Sequence, residues 1–213
     1  TSANDHLLQN DDTIQIDNNI TIGETSDDDD GLTFLNDAQT LTITTSSEQD
    51  AGRTLVVDGN VGRGTGVNAG SIALTAGTDT NGSAETVQAT INGDVDLGTG
   101  TITVTSNFGN SENSSATLII NGGLTSGTVT LDEQTAGSDD AIITFGGTTQ
   151  ETISAAIVAG DAGEGVINVT NTNASGITFN GAIGQGGAAN VVGDIVIQSG
   201  AATDVTAIFT ENV

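Results

Sequence analysis

The 213 residues carry 28 acidic side chains against only Arg53 and Arg63, with no lysine, for a formal net charge of −26. A surface of that charge repels nucleic acid and anionic lipid, which sets both aside as direct partners, and it attracts cations. Cys, Met, Pro, Trp and Tyr are absent and hydrophobic residues make up only 35%, so no disulfide or thiolate chemistry exists and packing and backbone ladders must hold the chain.

Residues 1–12 are polar without alternation and are expected to form a flexible N-terminal arm, leaving 13–213 as a single elongated β-rich repeat domain. Strands are predicted at Thr13 to Ile16, Asn19 to Ile22, Leu32 to Leu35, Leu41 to Thr44, Thr54 to Val57, Ser71 to Thr75, Val87 to Ile91 and Thr101 to Thr105. They continue at Ala116 to Ile120, Thr128 to Leu131, Ala141 to Phe145, Ile153 to Val158, Val166 to Val169, Ile177 to Phe179, Asp194 to Ile197 and Val205 to Phe209. Most alternate with period two, as in Thr101-Ile102-Thr103-Val104-Thr105, the mark of a strand with one buried and one wet face. No stretch reaches the about 18 apolar residues of a membrane-spanning helix, so direct membrane insertion is not expected.

A phrase recurs: a β-branched run, a Gly-containing turn, an apolar residue. It reads Leu55-Val56-Val57-Asp58-Gly59, Ala89-Thr90-Ile91-Asn92-Gly93, Leu118-Ile119-Ile120-Asn121-Gly122, Ala156-Ile157-Val158-Ala159-Gly160 and Ile177-Thr178-Phe179-Asn180-Gly181. Repetition of one short unit predicts an all-β solenoid of stacked short strands, with these glycines at corners of positive φ. The alternative is an antiparallel β-sandwich or tandem sandwiches built of hairpins, since Asn-Gly also favours a two-residue hairpin turn. Gaps of 34, 29, 38 and 21 residues between the glycines imply extra loops in some rungs. The phenylalanines, Phe34, Phe108, Phe145, Phe179 and Phe209, are expected to fill the interior.

Chemistry-bearing residues are sparse. His6 is the only histidine, so nucleophilic triads lack a base and imidazole metal sites lack ligands; the chain is not expected to be an enzyme. The densest charge is Asp27, Asp28, Asp29 and Asp30, whose adjacent carboxylates could hold calcium through hard oxygen ligands. Asp94 with Asp96, and Asp139 with Asp140, are lesser candidates. Arg53 and Arg63 are expected to act as salt-bridging staples. Sequons stand at Asn19, Asn81, Asn113, Asn168 and Asn173. A chain beginning Thr1-Ser2-Ala3 is expected to have lost a leader or to be a piece of a longer polypeptide.

The phrases Val166-Ile167-Asn168-Val169-Thr170, Ile177 to Gly184 and Asp194-Ile195-Val196-Ile197 resemble strand repeats of large bacterial surface proteins. Over residues 54–209 the chain is similar in style to autotransporter-type adhesin passengers and surface-layer repeat proteins. That resemblance implies an extracellular or cell-surface structural protein: a subunit of a filament or surface layer, or an adhesin fragment, in contact with a cell surface or glycan. Its alternatives are a carbohydrate-binding or carbohydrate-cleaving β-helix and a calcium-dependent assembly module. The absence of Pro and the open strand edges of an uncapped solenoid separately predict a homo-oligomer or polymer grown through strand edges.

Overall fold

The computed structural model describes residues 6–23, 31–45, 52–76, 86–106, 114–133, 140–184, 190–198 and 205–213. Over these the chain is all-β, without an α-helix, and winds as a parallel β-solenoid. Its strands are β1 (His6–Leu8), β2 (Asp12–Ile16), β3 (Ile20–Ile22), β4 (Leu32–Phe34), β5 (Gln39–Thr45), β6 (Arg53–Val57), β7 (Val61–Arg63), β8 (Gly70–Ala76), β9 (Thr86–Ile91) and β10 (Val95–Asp96). Then follow β11 (Thr101–Ser106), β12 (Ser115–Ile120), β13 (Leu124–Glu133), β14 (Asp140–Phe145), β15 (Glu151–Ala159), β16 (Glu164–Val169), β17 (Ile177–Phe179), β18 (Val192–Ile197) and β19 (Ala207–Phe209).

Three faces recur in each coil. The first stacks β1, β4, β7, β10, the starts of β13 and β15, β17 and β19. The second stacks β2, β5, β8, β11 and the ends of β13 and β15. The third is a sheet of seven strands, β3, β6, β9, β12, β14, β16 and β18. Every pairing of named strands is parallel, with register partners from 24 residues apart (Phe145 and Val169) to 35 (Ile22 and Val57). Hairpins would give antiparallel neighbours close in sequence, so the sandwich alternative is set aside.

Period-two alternation puts one side chain in two inside. Ile14, Ile43, Leu74, Val104, Leu131 and Ala159 lie in register as one interior column. A second is Leu55, Ala89, Leu118, Ile143 and Ile167, and a third is Leu32, Val61, Val95, Leu124, Ile153, Phe179 and Phe209. Each fully buried Leu or Ile contributes about 1.5–3 kcal/mol relative to exposure. Outside, Thr44, Thr75 and Thr105 share a register line, where β-branched side chains suit the wet pleat.

The expected arm contributes structure from residue 6 onward. β1 pairs with β4, and Leu8 is buried. The expectation of positive φ at the phrase glycines is corrected. None of the five, Gly59, Gly93, Gly122, Gly160 and Gly181, is among the positive-φ glycines; Gly93 and Gly122 are required because coils pass too close for a Cβ, with Gly93 against Asn60 and Gly59, and Gly122 against Gly93 and Asp94. Gly59, Gly93 and Gly122 occupy the corner between the third and first faces. Gly160 follows β15 and Gly181 follows β17, so the uneven gaps of 38 and 21 residues arise because the phrase has moved to other corners.

The turn from β4 to β5 is tied locally and to the next coil. Gln39 Oε1 accepts the Leu35 and Asn36 amides at 3.1 and 2.7 Å. Asp37 accepts the Asn68 amide, Asn68 Nδ2 at 3.0 Å and the Ala69 amide at 3.3 Å. The Asn68 backbone hydrogen bond, followed by its side-chain bond, holds the Asp37 carboxyl below the usual range. Its contribution is therefore present above the ordinary aspartate pKa and lost as pH falls through the depressed value. Next to it Ala38 has φ 59°, a left-handed conformation that penalises any Cβ. Ala38→Gly should raise stability by up to about 1 kcal/mol in urea unfolding, the relieved strain outweighing the entropy of a freer unfolded chain. A loss of stability would contradict the strained turn.

Candidate functional site

The four-aspartate run Asp27, Asp28, Asp29 and Asp30, the calcium candidate, lies outside the described residues, as does Asp139. Asp94 and Asp96 have structural duties. Asp94 Oδ1 accepts the Gly123 amide at 2.8 Å, and its own amide donates to Asn60 Oδ1 at 2.6 Å. Asp96 receives Arg63 bidentately, with Nη2 2.9 Å from both carboxylate oxygens and Nε 3.2 Å from Oδ1. Arg63 Nη1 also donates to the carbonyls of Val67 and Asn68 at 3.1 and 3.2 Å. The expected staple thus joins β7 to β10 and to the turn leading into β8. An exposed pair of this kind adds at most about 1 kcal/mol. Arg53 opens β6, His6 is exposed on β1, and among the described residues no group of three or more His, Cys, Asp or Glu is arranged to hold a metal ion.

A side-chain ladder climbs the corner between the third and first faces. Asn92 Nδ2 donates to Asp58 Oδ1 at 2.7 Å, and Asn121 Nδ2 donates to Asn92 Oδ1 at 2.8 Å. Stacked equivalent corners place identical polar positions one rung apart, so each amide satisfies its neighbour. Beside the ladder is an open groove of about 290 Å³ lined by Asp58, Asn60, Asn92, Asp94, Thr149 and Glu151. Its charges are all negative, so anionic ligands are disfavoured there.

The other distinctive surfaces are the two ends. Among the described residues β1, β2 and β3 form one margin of the sheets and β18 and β19 the other, each paired along one edge only. The last rung leaves apolar groups in solvent: Val191 is 49% exposed, Ile197 48% and Ile208 44%. Val191 also lines a hollow of about 270 Å³ together with Ile183, Gly184, Val192, Ile195 and Val213. At the first rung Leu7 is 50% exposed, and Ile14, Ile20 and Ile22 are only partly buried. Short runs such as Ile20 to Ile22 betrayed the strands in the sequence, yet only stacking identifies which of them stand at a margin.

Comparison of the chain with known protein families, with curated proteins and with solved structures gave no match.

Proposed function

We propose that this chain is an extracellular structural protein, a subunit of a surface filament or surface layer or a fragment of an adhesin, that assembles end to end through its terminal strand edges. One observation supports the reading: among the described residues both margins offer single-edge strands over a partly open apolar interior. Because every pairing of named strands is parallel, a second copy placed head to tail continues the first and third faces, which end in β19 and β18, with the polarity unchanged. Such a contact joins two different surfaces, does not close on itself, and grows as an open fibre. The net charge of −26 opposes it, so growth should demand screening, with a Debye length of about 10 Å at 0.1 M salt falling to about 3 Å at 1 M.

Negative-stain microscopy and light scattering of the purified chain are expected to find monomers at low ionic strength and fibres of varied length as salt rises. Ile197→Lys and Ile208→Lys, both at exposed positions, should abolish fibres while leaving the circular dichroism spectrum and thermal midpoint within a few degrees of the parent. A chain that stays monomeric in all salt conditions, or variants that polymerise as the parent does, would reject the reading. The same measurement with a chelator separates calcium-dependent assembly centred on Asp27, Asp28, Asp29 and Asp30. A glycan-binding module is favoured by one feature, the corner groove with its amides and carboxylates, and a glycan array tests it with Asp58→Ala as control.

A further inference from the structure

Among the described residues two glutamates are nine-tenths buried and neither belongs to the ends or the corner ladder: Glu133 is 8% exposed and Glu164 2%. Glu133 ends β13 on the inward phase set by Val129 and Leu131, in register with Ser106. Glu164 begins β16 one coil further on. Their hydrogen bonds cross between the rungs. Glu133 Oε1 accepts the Gly165 amide at 3.0 Å and the Ala141 amide at 3.3 Å. Glu164 Oε2 accepts the Glu133 amide at 3.2 Å and the Asp161 amide at 2.9 Å.

We infer that Glu133 and Glu164 form an acid-strengthened clasp, in which a proton held on Glu133 locks the corner of β13, β14 and β16 and its loss lets that corner open. The inference is independent of end-to-end assembly. Each carboxyl grips one amide of the other's rung and one of its own, so separating the rungs frees the Gly165 and Glu133 amides together while Ala141 and Asp161 lose the carboxyls that tie them to those rungs. A protonated Glu133 keeps Oε1 as acceptor for both of its amides and no longer repels Glu164. An ionised Glu133 keeps the same bonds with a second charge in the same low-dielectric corner. Among the described residues the titratable side chains of the surrounding elements are Asp132 on β13, Asp140 on β14, Glu151 at the start of β15, Asp161 before β16, Glu164 itself and Asp194 on β18, all acidic. Neither arginine belongs to these elements, Arg63 being bound to Asp96 on the first face and Arg53 lying on β6.

Burial first, with repulsion from Glu164 and Asp140 added, raises the Glu133 carboxyl above the usual glutamate range against the opposing pull of the Gly165 and Ala141 amides. A raised native value makes the folded form bind the proton more tightly than the unfolded one. The stabilisation is therefore complete below the ordinary glutamate value of about 4.3 and is lost as pH rises through the raised one.

Native-state hydrogen exchange of the full chain reads this at the amides of Ala141, Asp161 and Gly165, with Leu118 and Ile120 of β12 reporting global opening. After correction for intrinsic rates, protection of the three clasp amides should fall by about twofold or more between pH 4 and pH 8 while the β12 amides change less. Glu133→Gln, which retains the acceptor without the charge, should hold acid-level protection throughout. Glu164→Gln, which removes the repelling neighbour and keeps its own acceptor, should flatten the pH slope and serves as the deciding variant should Glu133→Gln fail to fold. PH-independent protection in the parent, a slope unchanged by Glu164→Gln, or weaker protection in Glu133→Gln than in the parent at pH 8 would overturn the clasp.

Discussion

Gly122→Ala is expected to remove more than about 4 kcal/mol of stability, enough to unfold most of the chain at ambient temperature. A Cβ there would sit 2.5 Å from the Gly93 carbonyl oxygen and 2.6 Å from both Gly93 C and Asp94 Oδ1. Two of those atoms are backbone of the coil beneath, which the ladder on either side pins in place, so relief requires prising two rungs apart. The φ angle at this glycine is not in the left-handed region, and this separates two explanations of a glycine requirement. Gly122→Asn should therefore be no better tolerated than Gly122→Ala. Gly66 offers the converse case, with φ +85° and nothing within 4 Å of a Cβ. There Gly66→Asn should cost about 1 kcal/mol or less and Gly66→Val clearly more, because asparagine tolerates the left-handed region and a β-branched residue does not. Urea denaturation of the four variants decides the matter. A Gly122→Asn that rescues Gly122→Ala would show that conformation, and not the approach of the coils, fixes that corner.

The solenoid was legible where strands were long enough to show their period. Thr101 to Thr105 alternates over five residues, and β11 occupies Thr101–Ser106. The first face was not legible in the same way, because β7 has three residues and β10 two. A single inward side chain, Val61 or Val95, cannot display a period; only the rung above and below identifies it. Of β13 the sequence shows only Thr128 to Leu131 as a strand, because Gly127 interrupts the alternation. In the fold the chain bends there from the first face to the second, and the register shift between Thr125 and Thr128 lets one strand of ten residues serve both.

The glycine phrase carried more than was taken from it. Asp58, Asn92 and Asn121 each stand immediately before a glycine of the set, and their spacings of 34 and 29 residues are the true coil lengths at that corner. Equal polar residues at equal coil positions are the signal of a ladder, but the register needed to recognise it emerges only once rungs are stacked. Glu133 was likewise on the inward phase of Val129 and Leu131. Charge alone argued for solvent, and what overrides that preference is the set of backbone amides supplied by the next coil, which no local window contains.

Phe179→Ala should be the costliest change in the side-chain interior, at about 3–5 kcal/mol. Its ring lies 5.4 Å from that of Phe145 at 80° and 5.1 Å from that of Phe209 at 16°. Phe145 comes from the third face and Phe209 from the last rung of the first, so one side chain joins two faces and the final coil. The three rings gather near one end and do not run the length of the interior; Phe34, also buried, packs beside Gly70 several coils away. A double-mutant cycle with Phe145→Ala should return a coupling of about 0.5–1.5 kcal/mol beyond the lost area. Because each rung touches only its neighbours, damage should stay local. Exchange protection should collapse around β17 and β19 and persist in β5 and β8. If the proposed end-to-end growth uses this margin, Phe179→Ala should also stop fibres, since β19 can no longer present an edge. A stability loss below about 1 kcal/mol, or protection lost uniformly from β5 to β19, would mean that the aromatic group neither anchors the last rung nor leaves the earlier coils to stand on their own.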